Sequence, residues 1–346
     1  MPPSRENKPL AIPRPSSSVI LVSPENQVLL LRRVRTSSSF PSAHVFPGGN
    51  VSPFHDGELP PPEDAARHQD SETYRLAAIR ETFEESGILL AKNNGFGRLI
   101  EVDDAAREEG RHLVHSNKVD FRKWLAGKGG RADTENLIPF TRWVTPTNLP
   151  KRFSTQMYIY LLPLSHSPAL KGASSSSDSE GSEVVIPDPT HDGGKEHTAA
   201  RFLPPSTWLR LAQEKRIIMF PPQFFLLHML SPFLSSHDPK SAKTPIPSYE
   251  DRQAQRKAML AFLKTGEPSW ATKVISPIAI PPTHGGKRDD GRIVLGLEKP
   301  GPELKGIREG EKEHVVLVEF KKEGPRRVEV RKRAEVLAEG REKSSL

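Results

Sequence analysis

Arg80-Glu81-Thr82-Phe83-Glu84-Glu85-Ser86-Gly87-Ile88 is the stretch on which the reading of this chain turns. It closes a segment, 72–86, whose apolar Leu76, Ile79 and Phe83 recur at three- and four-residue steps, which predicts a helix with one buried face. Asp70 or Ser71 is placed to cap its start, and Gly87 to end it. On such a helix Glu81, Glu84 and Glu85 fall at i, i+3 and i+4, so three carboxylates share one side. A lone Glu-x-x-Glu-Glu is ordinarily a solvated acidic face. The longer string Arg-Glu-x-x-Glu-Glu-x-Gly occurs by chance at only about one position in a million, which favours the other use of such a cluster. A hard divalent cation takes carboxylate oxygens together with the phosphate oxygens of a substrate. Arg80 is placed to orient the cluster or partly neutralise it. Upstream, Gly48-Gly49 follow the strand-like His44-Val45-Phe46. Glycines there allow close backbone approach and make the Gly49 carbonyl a candidate metal ligand. Glu72, two helical turns before Arg80, is read as pointing roughly towards the same acidic face.

Working outward, 1–16 is polar and Pro-rich and reads as a flexible tail. Val19 to Val22 and Val28 to Leu31 read as a hairpin around Pro24-Glu25-Asn26. Residues 53–70, with a Pro triplet, read as an exposed, disordered insertion. Residues 98–135 read as charged and helical around Phe121, Trp124 and Leu125. Strands are expected at 142–145 and 157–162. The Ser-rich stretch 165–195 reads as a second disordered insertion. Helices follow at about 205–215 and 221–235, then a linker at 236–248 and a helix at about 249–264. The remainder to 335 is strand-rich, and 336–346 is a charged tail. Thus 17–235 forms the main domain, and 249–335 an extension packing on its core.

The quoted stretch resembles the Nudix box, Gly-x5-Glu-x7-Arg-Glu-U-x-Glu-Glu-x-Gly-U, where U is aliphatic. Glu72, Arg80, Glu81, Glu84, Glu85, Gly87 and Ile88 match it. Thr82 stands at an aliphatic position, and Gly49 and Glu72 are separated by 22 residues instead of 5. An interruption at that point is similar to the acyl-coenzyme A diphosphatase subfamily. So are Trp143-Val144-Thr145-Pro146, Pro150-Lys151-Arg152-Phe153-Ser154-Thr155 (with Ser154 for an acidic residue), Pro221-Pro222-Gln223-Phe224, Pro268-x-Trp270 and Asp290-Gly291-Arg292-Ile293. The resemblance implies an α/β (α+β) Nudix fold, a mixed β-sheet sandwiched between α-helices. It implies Mg²⁺ or Mn²⁺ as cofactor, held by Glu81, Glu84, Glu85 and the Gly49 carbonyl, with Glu84 and Glu81 catalytic and Glu72, Arg80 and Gly87 in support. It also implies hydrolysis of coenzyme A or its acyl esters to 3′,5′-ADP and 4′-phosphopantetheine. The box reads a diphosphate and not its flanking groups, so ADP-ribose, a dinucleoside polyphosphate or capped RNA remain alternative substrates, and a non-catalytic binding protein the alternative class.

Other candidates stand around this centre. Glu196, six residues before Phe202, matches a subfamily Glu and is an extra ligand, a general base or a plain surface residue. Arg152 is a phosphate-binding fork or a surface ion pair. Arg32 and Arg33, at a strand end leading to the glycines, are phosphate contacts or a solvated strand end. His44 reads as a structural histidine. The Phe121/Trp124 and Phe224–Leu227 clusters read as core.

Composition narrows the classes. The 346 residues include 34 Pro and no Cys, which removes disulfides, Cys-ligated metal and thiol catalysis. The formal charge of +7 is spread over 50 basic and 43 acidic residues, a mild bias towards anionic partners that does not by itself indicate a nucleic acid; the resemblance implies a small-molecule substrate, with nucleic acid not expected. No apolar run is long enough to span a membrane. Lys343 followed by Ser344-Ser345-Leu346 resembles a degenerate peroxisomal address, with cytoplasm or mitochondrion as alternatives.

Overall fold

The computed structural model describes residues 10–34, 42–93, 98–164, 197–234, 247–280 and 288–342. Glu196, the Ser-rich stretch 165–195 and the Ser344-Ser345-Leu346 end all lie outside the described residues. In chain order the elements begin with β1 (Arg14–Val22), β2 (Val28–Arg33), β3 (His44–Val45), β4 (Gly48–Asn50), α1 (Pro53–Asp56) and α2 (Glu72–Ser86). Then come β5 (Ala91–Asn93), α3 (Asp104–His115), α4 (Phe121–Gly127), β6 (Gly130–Ala132), β7 (Ile138–Val144), β8 (Phe153–Leu161) and β9 (His197–Leu203). Helices α5 (Pro205–Gln213), α6 (Pro221–Leu230) and α7 (Tyr249–Leu263) follow. The chain closes with β10 (Val274–Ile275), β11 (Ile278–Ile280), β12 (Ile293–Leu297), β13 (Glu311–Lys321), β14 (Gly324–Lys332) and α8 (Arg333–Glu342).

One mixed sheet organises the whole. Its main path runs β10-β7-β8-β1-β2-β3, with β4 also on β1 and β9 also on β2. β1 and β8 are parallel, Val19 opposite Tyr158 and Ile20 opposite Ile159, and β1 meets β4 antiparallel, Ser17 opposite Gly49. β1 is apolar on both faces, as a central strand covered on both sides must be. Val19 and Leu21 join a core built with Ile79 and Phe83 of α2, Val114 of α3, and Phe121 and Trp124 at α4. Ile20 and Val22 join a second core with Trp208 of α5, Phe225 and Leu227 of α6, and Met259 of α7. The antiparallel sheet β11-β12-β13-β14 adds Leu295, Val316 and Val328 to that second core. The Phe121/Trp124 and Phe224–Leu227 side chains are thus core on opposite faces of the sheet.

Three expectations need correction here. β1 starts at Arg14, inside the expected tail, because residues 14–22 run alongside 153–161 of β8 without a break. The interval 53–70 is folded: α1 and a 3-10 turn at Ala65–His68 bury His55, Asp56 and His68. Residues far along the chain supply those groups with partners: His55 Nε2 lies 2.8 Å from Asn117 Oδ1 and His68 Nδ1 2.9 Å from Ser154 Oγ. The expected terminal tail contains α8, because Val336 packs on Val294, Val315 and Leu317.

Candidate active site

Helix α2 spans the expected interval and ends as glycine permits, Gly87 lying at φ 74° with its N–H on the Phe83 carbonyl. Ser71 is the N-cap but makes no side-chain cap bond. The Asp70 carboxylate accepts from Tyr158 Oη and from Arg75, tying the helix to β8.

At the other end the carboxylates meet the glycines. Gly48 N–H donates to Glu85 Oε2 at 2.8 Å. A Cβ at Gly49 would lie 2.5 Å from the Glu81 carboxyl group, which would have to leave its place beside β4. Arg80, 4% exposed, stands at the centre. Its Nη1 donates to Glu81 Oε1 at 2.9 Å and to Glu84 Oε1 at 2.8 Å. Its Nε and Nη2 bind both oxygens of Asp56 at 3.0 and 2.8 Å, and Nη2 also reaches the Asn50 carbonyl at 2.9 Å. One guanidinium therefore serves three carboxylates.

That ratio governs the electrostatics. Burial pushes the Glu81 carboxyl up to about 7, against the pull of Arg80 and with the push of Glu84. Burial acts on Glu84 in the same sense, but hydrogen bonds from His115 and Arg80 hold it below its ordinary value. Among the described residues one arginine serves Asp56, Glu81 and Glu84, which suits a divalent cation: hard oxygen donors, closely grouped, each box carboxylate with an oxygen oriented by Arg80 or the Gly48 N–H. Glu81, Glu84, Glu85 and Gly49 are brought together as expected.

Other predicted residues fall elsewhere. Glu72 is exposed at the first turn of α2 and accepts from Thr134 Oγ1 at 2.9 Å. At 1.5 Å per residue it starts about 13 Å down the axis from Glu81, so it does not join the acidic face. Arg152 is buried with its donors spent. Nε binds the Thr145 carbonyl at 2.9 Å, Nη1 the Ala11 carbonyl at 2.8 Å, and Nη1 and Nη2 grip Glu303 at 2.5 and 3.1 Å. It ties β8 to the C-terminal extension and is no phosphate fork. Arg32 is exposed and Arg33 half-buried at the end of β2, opposite Ala199 and His197 of β9. His197 Nε2 lies 3.7 Å from Glu85 Oε1, so this strand end abuts the carboxylates.

The sequence reading missed Asp56, Arg111, His115 and His197. Arg111 donates from Nε and Nη2 to the Glu84 carbonyl at 3.1 and 2.9 Å, and His115 Nδ1 lies 3.0 Å from Glu84 Oε2. Their i, i+4 spacing on α3 was the available signal. For Asp56 it was the proline just after Ser52, a mark of a helix start.

With fold and site in place, the class follows. Residues 12–162 match the NUDIX domain. Among curated proteins it is similar to acyl-coenzyme A diphosphatase NUDT19 of Xenopus laevis, at 27% identity over 258 residues, 60% of each chain. It is also similar to the Gallus gallus protein of the same name, at 26% identity over 61% of this chain and 63% of that one. The chain thus spans about three fifths of the length of these relatives. A solved Nudix hydrolase from Alicyclobacillus acidocaldarius aligns with 64% of this chain and 91% of its own at 22% identity, with a TM-score of 0.48. Among the described residues no helix is long and apolar enough to cross a membrane.

Proposed function

We propose that this protein is a divalent-metal-dependent Nudix diphosphatase that hydrolyses coenzyme A or acyl-coenzyme A to 3′,5′-ADP and (acyl-)4′-phosphopantetheine. The observation that carries the diphosphatase reading is the group Glu81, Glu84 and Glu85 gathered on Gly48-Gly49 around the Arg80 guanidinium. The coenzyme A part rests on the names of the two relatives and on the motifs quoted above.

Glu81, Glu84 and Glu85 would hold Mg²⁺ or Mn²⁺, with the Gly49 carbonyl as a further ligand. When bound, the cation supplies neutralisation of the diphosphate and acidification of a water. The chain's own residues prepare that chemistry. Arg80 fixes the Glu81 and Glu84 carboxylates through one nitrogen and is itself fixed by Asp56. Gly48 fixes Glu85, and Arg111 and His115 fix Glu84 from the far side. Glu196, next in sequence to His197, is our candidate for the base that takes the water's proton. Overall, water adds across one phosphoanhydride P–O bond, and each phosphorus leaves as a phosphate monoester.

The test incubates purified protein and Mg²⁺ or Mn²⁺ with coenzyme A, acyl-coenzyme A species, ADP-ribose, NADH, a dinucleoside polyphosphate and capped RNA, and reads products by mass spectrometry. Release of 3′,5′-ADP from coenzyme A species alone is expected. Cleavage of another member alone retains the metal chemistry and removes the substrate assignment.

A further inference from the structure

Arg32, His44 and Arg201 lie side by side on three strands, on the sheet face opposite α2. His44 of β3 is directly opposite Arg32 of β2. On the other side of β2, Arg201 of β9 is opposite Leu30, hence diagonal to Arg32 on the same face. Both arginines are exposed, and among the described residues neither guanidinium has an acidic or carbonyl partner. This sets them apart from Arg80, Arg111, Arg152 and Arg256, each of which is fully engaged. Two unpaired like charges on neighbouring strands repel, and nothing among the described residues requires them.

The histidine, on the far side of Arg32 from Arg201, is neutral. Burial, Arg32 and Arg201 bring it down to about 4, so both guanidinium groups act directly on the ring. Its Nδ1 is buried with no hydrogen-bond partner. A buried nitrogen with no acceptor in reach is better left without its proton, which puts the proton of the neutral ring on Nε2. The ring rests against Trp208, 5.6 Å between centroids, and its main-chain N–H is held by the Ile218 carbonyl at 2.8 Å. The result is a row in which Arg32 stands between a fixed N–H donor and a second guanidinium fork, a donor set that matches a phosphate monoester.

Its place also fits. Arg33, the next residue after Arg32, is opposite His197, which touches Glu85. The three groups therefore sit at the same end of the sheet as the catalytic carboxylates, but on the other face. We infer that Arg32, His44 and Arg201 bind a second phosphate of the substrate, a monoester separate from the diphosphate that is cut. On the coenzyme A reading, on which the ligand's identity rests, this is the 3′-phosphate of the nucleotide.

Calorimetric titration in Mg²⁺ tests it with 3′,5′-ADP and with 5′-AMP, which lacks only the 3′-phosphate. Wild type is compared with Arg32→Gln and Arg201→Gln, which keep the aliphatic stems of two exposed residues and leave the melting temperature unchanged. Wild type should prefer 3′,5′-ADP by roughly tenfold to a hundredfold, the worth of charged hydrogen bonds. Each variant should lose most of that preference while keeping its affinity for 5′-AMP. Equal affinity of wild type for the two nucleotides, loss of both in the variants, or no binding of either overturns the inference. Turnover separates it from the substrate assignment. Retained preference for 3′,5′-ADP without cleavage of coenzyme A keeps the anion site and removes that substrate. Cleavage of coenzyme A and its 3′-dephospho form with equal kcat/KM, unchanged in both variants, removes the anion site and keeps the substrate class.

Discussion

Two buried carboxylate clusters in this molecule are built from the same residue types and balanced in opposite ways. On α2, Arg80 is shared among Asp56, Glu81 and Glu84. On β13, Glu311 alone receives Lys273 Nζ at 2.5 Å, His314 Nδ1 at 2.9 Å and the Glu313 N–H at 3.0 Å. The first cluster pushes Glu81 up to about 7; the second holds Glu311 down at about 2. Glu311, Glu313 and His314 have potential ligand atoms within 4.8 Å of one another. Yet Lys273 already fills the cation's place, itself lying 4.6 Å from the centre of the Trp270 ring. Clustering of acids is therefore a poor guide to a metal site. The deficit of positive charge is the better one, and it singles out the box.

The sharpest way to break this comparison is to neutralise one acid in each cluster. Glu84→Gln keeps the size and loses a ligand charge. It should lower kcat by about three orders of magnitude, on the scale of losing a principal electrostatic contact in the transition state, with circular dichroism unchanged. Retained turnover would end the ligand assignment. Glu311→Gln should leave turnover per folded molecule intact and cost about 3–5 kcal/mol of stability, because Lys273 is left buried without its counter-charge. The sign of its pH dependence is fixed. Glu311 titrates lower folded than unfolded, so its contribution is present above its ordinary value of 4.5 and is lost as pH falls towards about 2. The gap between wild-type and variant melting curves should narrow over that interval; a gap independent of pH would refute the assignment.

Asp56→Asn probes the support of the first cluster. Arg80 loses its bidentate partner but keeps Glu81 and Glu84, so we expect a roughly 10- to 100-fold fall in metal affinity or activity, the usual scale for groups that orient ligands. Metal affinity is read by Mn²⁺ titration. Glu81→Gln should act on stability in the opposite direction to Glu311→Gln. The Glu81 carboxyl titrates higher folded than unfolded, so its ionisation opposes folding once pH rises above its ordinary 4.5, and fully so above about 7. Without metal, the variant should melt a few degrees higher than wild type at pH 8 and at nearly the same temperature at pH 4. Saturating Mg²⁺ should close or reverse the gap, because only the wild type gains from binding.

How much of this was legible depends on the reach of each interaction. The period of Leu76, Ile79 and Phe83, the left-handed Gly87 and the shared face of the three carboxylates are local, and sequence spacing reports them faithfully. The hairpin of β1 and β2 is nearly so. Of the two readings of Arg152, the ion pair is the one present, but it is buried, and its partner Glu303 is 151 residues away in an extension whose position no local pattern reveals. The 53–70 interval was taken for exposed because Pro and charge dominate it. Its burial rests on contacts from His55 to Asn117 and Phe121, and from Asp56 to Arg80. The arginine pair of the anion site is set by strand register between β2 and β9, whose intervening segments give no spacing rule.

Glu72 is where motif and structure part most clearly, and it makes the smallest prediction. In the box its spacing from Arg80 is correct, yet Asp56 takes Arg80 and Glu72 faces Thr134. What Glu72 does here is physical and modest. A carboxylate at the first turn of α2 interacts favourably with the helix dipole, and its hydrogen bond is exposed to water. Glu72→Ala should therefore cost about 0.5–1 kcal/mol of stability and leave kcat and Mn²⁺ affinity within twofold of wild type. A Glu72→Ala enzyme as inactive as Asp56→Asn would mean that Arg80 exchanges partners during turnover. The comparison would then lie between two carboxylates competing for one guanidinium, and no longer between two clusters.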